Sequence, residues 1–225
     1  MAIIEGGSSG LLMGVGEQTG SPGHVGLKPT PYSTLGHYRL AATSGTLAAA
    51  LAANSQLFTW RWTDATRLCV VSRVKLSFQC LTVFTAGTLT DFGFDMFKVT
   101  AVSAGGGGTA ITAFSKMRSS MATSLLGATD VRIATTAALT ALTTLDGSAI
   151  AQSIGDPNLT NPAGGTEEAR VNDPTLLFEA DMARGEHPLV LSQNEGFVLR
   201  NRTVWPAAGT GIVQVEVSWC ETTAF

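Results

Sequence analysis

The side chains best suited to chemistry are sparse in this chain and stand far apart. The three histidines are His24, within a stretch rich in glycine and proline, His37, at its end, and His187, before a proline. None of them has a cysteine or carboxylate at the spacing of a metal-binding motif. We therefore expect these histidines in surface or capping positions and predict no metal site.

Paired carboxylates are the other candidates, because general acid–base chemistry often uses two of them. Asp91 and Asp95 would share one face of a strand, as would Glu179 and Asp181. Neither pair comes with the partner residues of a catalytic site. The sequence predicts that these carboxylates face solvent or cap turns. It predicts no catalytic residues, and hence that the protein is not an enzyme.

Motifs for cofactors are equally weak. Residues 14–20 resemble a dinucleotide-binding loop only superficially, since three residues instead of two precede the last glycine and no βαβ pattern surrounds them. Cys69, Cys80 and Cys220 each lie in an apolar stretch, at a spacing that fits neither a zinc site nor a redox pair. We expect reduced thiols in the core of a protein made in a cytoplasm, with no cofactor and no small-molecule substrate.

The charge pattern argues against two classes of partner. The net charge is −3, and the densest basic group, Arg61, Arg67, Arg73 and Lys75, accompanies no nucleic-acid motif. No stretch approaches the ~20 apolar residues of a membrane span. The first residues lack the basic and hydrophobic blocks of a signal peptide. We expect neither nucleic-acid binding, nor membrane insertion, nor export.

Residues 1–37 differ from the remainder of the chain. Their many glycines, together with Pro22, Pro29 and Pro31, exclude a regular helix or a central strand. The segment is nevertheless too apolar for a solvated linker. We predict an extended N-terminal arm that docks on a neighbouring subunit through its apolar side chains: Ile3, Ile4, Leu11, Leu12, Met13, Val15 and Leu27. A disordered tail is the alternative.

From residue 38 onward the pattern is that of strands. The clearest case is at residues 212–219, where Val213, Val215, Val217 and Trp219 alternate with polar side chains. Similar alternation predicts strands at residues 38–43, 56–62, 73–80, 91–102, 131–133, 175–182, 189–191 and 197–205, with a bulge or a strand that turns a corner near Leu81. Residues 46–51 predict a short strand or the start of a helix, and residues 137–145 are ambiguous. Two loops, residues 105–108 and 156–165, are expected to project outward.

These elements predict an all-β protein, an antiparallel β-sandwich of the jelly-roll type with an extended N-terminal arm. The expected division is an arm at residues 1–37 and a body at residues 38–225. Only 14% of the residues are charged although 44% are hydrophobic. Such a surface is typical of a subunit whose faces are covered by other subunits.

Aromatic side chains offer one alternative function. Trp60, Trp62, Trp205 and Trp219, with Phe58, are numerous enough to line a sugar site like that of a lectin. Their alternating positions favour packing in the core instead.

Two stretches of the chain resemble tailed-bacteriophage virion proteins. The first is residues 130–139, continuing to residues 143–146, and the second runs from residue 194 through the turn at residues 206–211 to residue 219. The resemblance implies a structural virion component, such as a jelly-roll head decoration (cement) protein. It brings no functional residues with it.

The sequence therefore predicts a capsid decoration protein of a bacteriophage that stabilises the head by binding across capsomer seams through its arm. Its expected partners are the major capsid protein and further copies of itself, as a homotrimer, and its expected location is the virion, assembled in the host cytoplasm. A receptor- or carbohydrate-binding tail-associated protein and the shell-forming capsid protein itself are the alternatives.

Overall fold

Alternating apolar and polar residues form β-strands throughout the part of this protein that the computed structural model describes. That part comprises residues 3–6, 11–14, 36–82, 84, 92–102, 105–155, 175–180 and 186–223. The chain divides into two units, Met1–Thr30 and Pro31–Phe225. The strands pair antiparallel, so the predicted all-β antiparallel fold is confirmed.

The smaller unit contains one pair of short strands. β1 (Ile3–Gly6) runs antiparallel to β2 (Leu11–Gly14), with Ile4 opposite Met13. We call β1 and β2 the N-terminal strand pair. Both strands belong to the predicted arm, and their backbones are extended.

The larger unit begins its first strand at His37, one residue before the predicted start of the body. Its strands are β3 (His37–Thr43), β4 (Gln56–Arg61), β5 (Leu68–Thr82), β6 (Phe92–Val99), β7 (Thr109–Ala110), β8 (Ser115–Lys116), β9 (Val131–Ile133), β10 (Ala151–Gly155), β11 (Thr175–Glu179), β12 (Leu189–Leu191), β13 (Gly196–Asn201) and β14 (Thr210–Thr222).

Two sheets form the sandwich. Sheet I has the strand order β11-β5-β14-β3-β8, and β12 also pairs with β5. Sheet II has the order β10-β6-β13-β4-β9-β7. The chain alternates between the sheets from β3 to β6 and again from β11 to β14, apart from β12, so most neighbours in a sheet are distant in sequence.

β14 is the central strand of sheet I, paired with β3 on one side and β5 on the other. Gln214 and Glu216 are exposed on its outer face. Its inward side chains are buried, as the alternation predicts: Val213, Val215, Val217 and Trp219. A strand with one face in the core and one in water produces this pattern.

β5 is longer than its partners and carries two register shifts against β14. Leu81 has no opposite residue, since Cys80 and Thr82 pair with consecutive residues of β14, and Leu81 is 47% exposed. This confirms the bulge predicted near Leu81. Ser72 is skipped in the same way.

The core between the sheets is built on aromatic side chains. Trp60 of sheet II meets Trp219 of sheet I edge to face, with ring centroids 4.8 Å apart. Tyr38 stacks on Trp219 at 5.5 Å, and Phe197 stacks on Trp60 at 5.6 Å. Such pairs contribute about 0.5–1.5 kcal/mol each beyond their buried area.

A second, smaller core covers the outer face of sheet II. It comprises Phe97, Val99, Val102, Leu142 and Val198. The chain around residues 142–145 supplies its outer layer, and Leu145 forms a single bridge to Val99. β6 is therefore buried on both faces, as its run of apolar residues predicts.

Some sequence predictions differ from the structure. Residues 46–51 form neither strand nor helix, only a single bridge from Leu47 to Gly211. Residues 137–145 contain no helix, and the predictions missed β10, whose sequence Ala-Gln-Ser-Ile-Gly has little β-branched content. The loop at residues 156–165 lies outside the described residues.

The glycine run at residues 105–108 was expected to project outward, but it is hydrogen-bonded to its neighbours. The Gly107 carbonyl accepts a hydrogen bond from Arg132 Nε at 2.6 Å, and the Gly106 carbonyl accepts one from the Thr140 amide at 2.9 Å. Gly108 has a φ of +53°, and a Cβ there would lie 2.2 Å from the Ile133 carbonyl oxygen. Glycine is required at this position by both the backbone and the space.

Candidate functional site

The predicted arm is represented by five of its seven named residues. Ile3 and Ile4 lie in β1, and Leu11, Leu12 and Met13 lie in β2. The strand register places Leu12 opposite Glu5. Val15 and Leu27 lie outside the described residues. The structure therefore pairs residues 3–6 with residues 11–14 and describes no other part of the arm.

The outer face of sheet I presents exposed side chains to solvent. Ala41, Glu216, Lys75 and Leu176 follow one another across four neighbouring strands. Leu176 is 47% exposed, and Ala41 and Glu216 are exposed as well. A surface that mixes small, charged and apolar side chains in this way suits contact with another protein. We name it the sheet I outer face.

The next row of the same face is mostly polar. Arg39, Ser218, Arg73 and Glu179 pair across the same four strands. Glu179 is exposed, as predicted, whereas its proposed companion Asp181 lies outside the described residues. Only one member of this predicted pair is therefore among the described residues.

Asp95, the described member of the other predicted pair, is in an ion pair. Arg202 Nε and Nη2 donate to Asp95 Oδ1 at 2.9 and 2.8 Å, and the carboxylate is almost fully buried. Gly93 makes room for the guanidinium, because a Cβ there would lie 2.7 Å from Arg202 Cζ. The expectation that Asp95 faces solvent or caps a turn was wrong, since it ties the chain after β13 to β6.

The described histidines occupy separate places. Burial, with smaller contributions from Arg39 and Arg73, lowers the pKa of the half-buried His37. His187 is exposed, and its Nδ1 lies 2.6 Å from the Pro188 carbonyl oxygen. His24 lies outside the described residues. Among those residues, no three His, Cys, Asp or Glu side chains are close enough together to hold a metal ion.

The cysteines are free thiols; Cys69 and Cys220 are buried, as expected, whereas Cys80 is only half-buried, so the expectation of a core position was wrong for Cys80. Cys69 is opposite Glu221 on one face of sheet I, whereas Cys220 is opposite Val70 on the other face. Two cysteines on opposite faces cannot bridge without backbone movement. Burial raises the pKa of Cys220 to about 11, with a further contribution from Glu221, and it raises the pKa of Cys69 well above its usual range.

Glu221 is a buried carboxylate that the sequence predictions missed. Ser124 Oγ donates to its Oε1 at 2.5 Å, the Leu125 amide donates to Oε1 at 3.1 Å, and Trp219 Nε1 donates at 3.3 Å. Burial raises its pKa, and these hydrogen bonds act in the opposite direction. Its side chain anchors the chain around Ser124 to the end of β14. Extending the alternation one step past Trp219 would have placed Glu221 on the core face.

The tryptophans are packed in the core. Trp60, Trp62 and Trp219 are 0% exposed and Trp205 is 2% exposed. Trp62 Nε1 donates to the Arg67 carbonyl at 2.7 Å. A sugar site that used these indole rings would need them at the surface. Their burial therefore argues against the carbohydrate-binding alternative.

The comparisons add no relative. No protein-family model, no curated protein and no solved structure matches the chain. Within the ranges that the structure describes, no helix is long and apolar enough to cross a membrane.

Proposed function

We propose that this chain is a structural subunit of a bacteriophage virion. It is a capsid decoration protein with a jelly-roll body, and it stabilises the head by binding across capsomer seams through its N-terminal arm. Its partners are the major capsid protein and further copies of itself, as a homotrimer, and it is assembled in the host cytoplasm. It acts by binding and not by catalysis.

The strand order carries this proposal. Four strands of sheet I follow the order β3-β14-β5-β11, and four of sheet II follow the order β4-β13-β6-β10. The chain runs through these eight strands in the order β3, β4, β5, β6, β10, β11, β13, β14, and it changes sheet at every step except from β6 to β10. We infer from this order the double Greek-key arrangement of a jelly roll, an architecture that viral capsid proteins share with lectins and cupins. Architecture alone is an analogy, because one fold serves many functions.

Three further features favour the virion among these classes. The resemblance of residues 130–139 and 194–219 is to tailed-phage virion proteins. The low charge, 14% of residues, suits a protein whose surface is largely covered by neighbours. The sheet I outer face offers exposed side chains, including Leu176, for contacts between copies.

The proposal is tested by density-gradient sedimentation of particles from cells that produce this chain. We expect the chain to band with intact heads at a fixed number of copies per particle. After the heads are disassembled, the chain should no longer sediment at the position of intact heads. A chain that stays in the soluble fraction while heads band normally would refute the proposal.

A further inference from the structure

The outer edge of β3 has a short interruption in its hydrogen bonding. Alternate residues of an antiparallel strand bond to opposite neighbours. Ser44 bonds to Val213 of β14, so the odd-numbered residues of β3 direct their N–H and C=O groups away from β14. At one end of this outward row the His37 carbonyl accepts from the Met117 amide, and at the other end the Gly45 amide donates to the Ala134 carbonyl.

Two residues in the middle of that row have no such partner. Arg39 is still paired with Ser115 of β8, but Ala41 and Thr43 face no strand on this side among the residues that the structure describes. Both are exposed. Unpaired backbone groups along an edge are a template for another strand. We call the outward N–H and C=O groups of Ala41 and Thr43 the β3 gap.

The β3 gap opens into a groove of about 360 Å³. Residues 109–113, which pass from β7 of sheet II to β8 of sheet I, form its opposite wall. Every lining residue is uncharged, and most are alanine, glycine or threonine. Short side chains let a second backbone approach closely. The hydrogen-bonded ladder is closed at both ends of the gap, so the gap admits one short strand, whereas the long edge of a full-sized sheet would not fit.

The N-terminal strand pair requires a further strand or a surface to pack on. Among the residues of this unit that the structure describes, its sheet has two strands of four residues each. An isolated pair of this kind is at best marginally stable in water and requires a third strand or a packing surface. β2 has the sequence Leu-Leu-Met-Gly and is uncharged, like the groove, whereas β1 carries Glu5.

We propose that β2 of one copy adds as a strand to the β3 gap of a second copy. This inference rests on the N-terminal arm of the proposed function, and it adds a contact between copies to the binding of the arm to the capsid. The 21 residues between Gly14 and Gly36 span at most about 70 Å, which is long enough to reach a neighbouring molecule. Backbone hydrogen bonds from Ala41 and Thr43 fix the added strand, and its leucines cover the uncharged groove.

Cross-linking between two full-length variants tests this pairing. Both carry Cys80→Ser, because Cys80 is the half-exposed thiol. One also carries Met13→Cys and the other Thr43→Cys, and the mixture is treated with a short bismaleimide. The control replaces Thr43→Cys with Leu176→Cys on β11, at the opposite end of sheet I. We expect the heterodimer at position 43 to exceed the control by about tenfold, as high local concentration dictates. Equal yields would overturn the proposal.

Hydrogen exchange on the otherwise unchanged protein provides a second test that needs no new cysteine. We expect the Ala41 and Thr43 amides to be protected, the more so at higher protein concentration, and to lose protection when Leu11, Leu12 and Met13 are replaced by serine. Protection that does not change with protein concentration would mean that β2 docks within its own chain. Unprotected Ala41 and Thr43 amides would mean that no strand docks there. Either result overturns the proposal. Neither experiment uses heads, so the virion function and this pairing can fail separately.

Discussion

Glu221 shows how one buried acid makes the stability of this protein depend on pH. Its pKa in the folded protein lies above the ordinary value of 4.5, because burial disfavours the carboxylate. Below that value the carboxyl is protonated in both the folded and the unfolded state. As the pH rises, the unfolded chain ionises first, so the contribution of Glu221 to the free energy of unfolding falls until the pH passes the folded pKa.

We therefore predict that Glu221→Gln removes this part of the pH dependence. The free energy of unfolding of the variant, relative to that of the original protein, should increase from pH 4.5 upward and then level off. Urea unfolding at several pH values measures it. Glu221→Ala is the matched comparison, and it should lose about 1–3 kcal/mol at every pH because the donors of Ser124, Leu125 and Trp219 lose their acceptor. A free energy of unfolding of Glu221→Gln that falls steadily relative to that of the original protein as the pH rises would contradict this prediction.

The tryptophans give a second prediction for single residues. All four indole rings are at most 2% exposed, so iodide should quench the fluorescence of the native protein weakly, and sugars should leave it unchanged. Unfolding in guanidinium should raise quenching to the level of a free indole. Strong quenching of the native protein would place at least one ring at the surface and revive the carbohydrate alternative.

At the scale of elements, the glycine run at residues 105–108, which leads into β7, is held in place by hydrogen bonds from Arg132 and Thr140. We predict that Gly108→Ala destabilises the protein by about 1–3 kcal/mol, since its Cβ would meet the Ile133 carbonyl oxygen and its φ of +53° disfavours other residues. Gly147→Ala is the control, because nothing lies within 4 Å of its Cβ. It should change stability by less than about 0.5 kcal/mol. Thermal unfolding distinguishes the two, and equal effects would mean that residues 105–108 are not held in place.

The sequence predicts elements well where one face is buried and the other is wet. β5, β13 and β14 follow from alternating or apolar runs, and the bulge at Leu81 follows from a break in the alternation. β10 was missed because Ala151, Gln152 and Gly155 carry little strand preference, and it is held by pairing with β6.

Long-range pairing explains the other failures. The Asp95–Arg202 ion pair joins residues 107 positions apart, and no local pattern indicates such a contact. The β3 gap depends on where β8 ends against β3, which is a property of the assembled sheet. The arm was predicted from composition alone, and its docking surface stays a prediction.

At the scale of the whole molecule, the described contacts of the body begin just before β3. β3 begins at His37, and the Gly36 carbonyl accepts a hydrogen bond from the Glu221 amide at 3.3 Å. A deletion through residue 37 would therefore damage the sandwich. Deletion of residues 1–30 ends at the boundary between the two units and leaves these contacts intact.

The most direct test of the account is the number of copies bound per head for the full-length chain and for the chain lacking residues 1–30. The full-length chain with Ile3, Ile4, Leu11, Leu12 and Met13 replaced by serine serves as the companion variant, and thermal unfolding confirms that each body is folded. The account predicts that both variants fold but that their occupancy of heads falls at least about tenfold, the effect of losing about 1.4 kcal/mol or more of binding free energy. Occupancy equal to that of the full-length chain would contradict it.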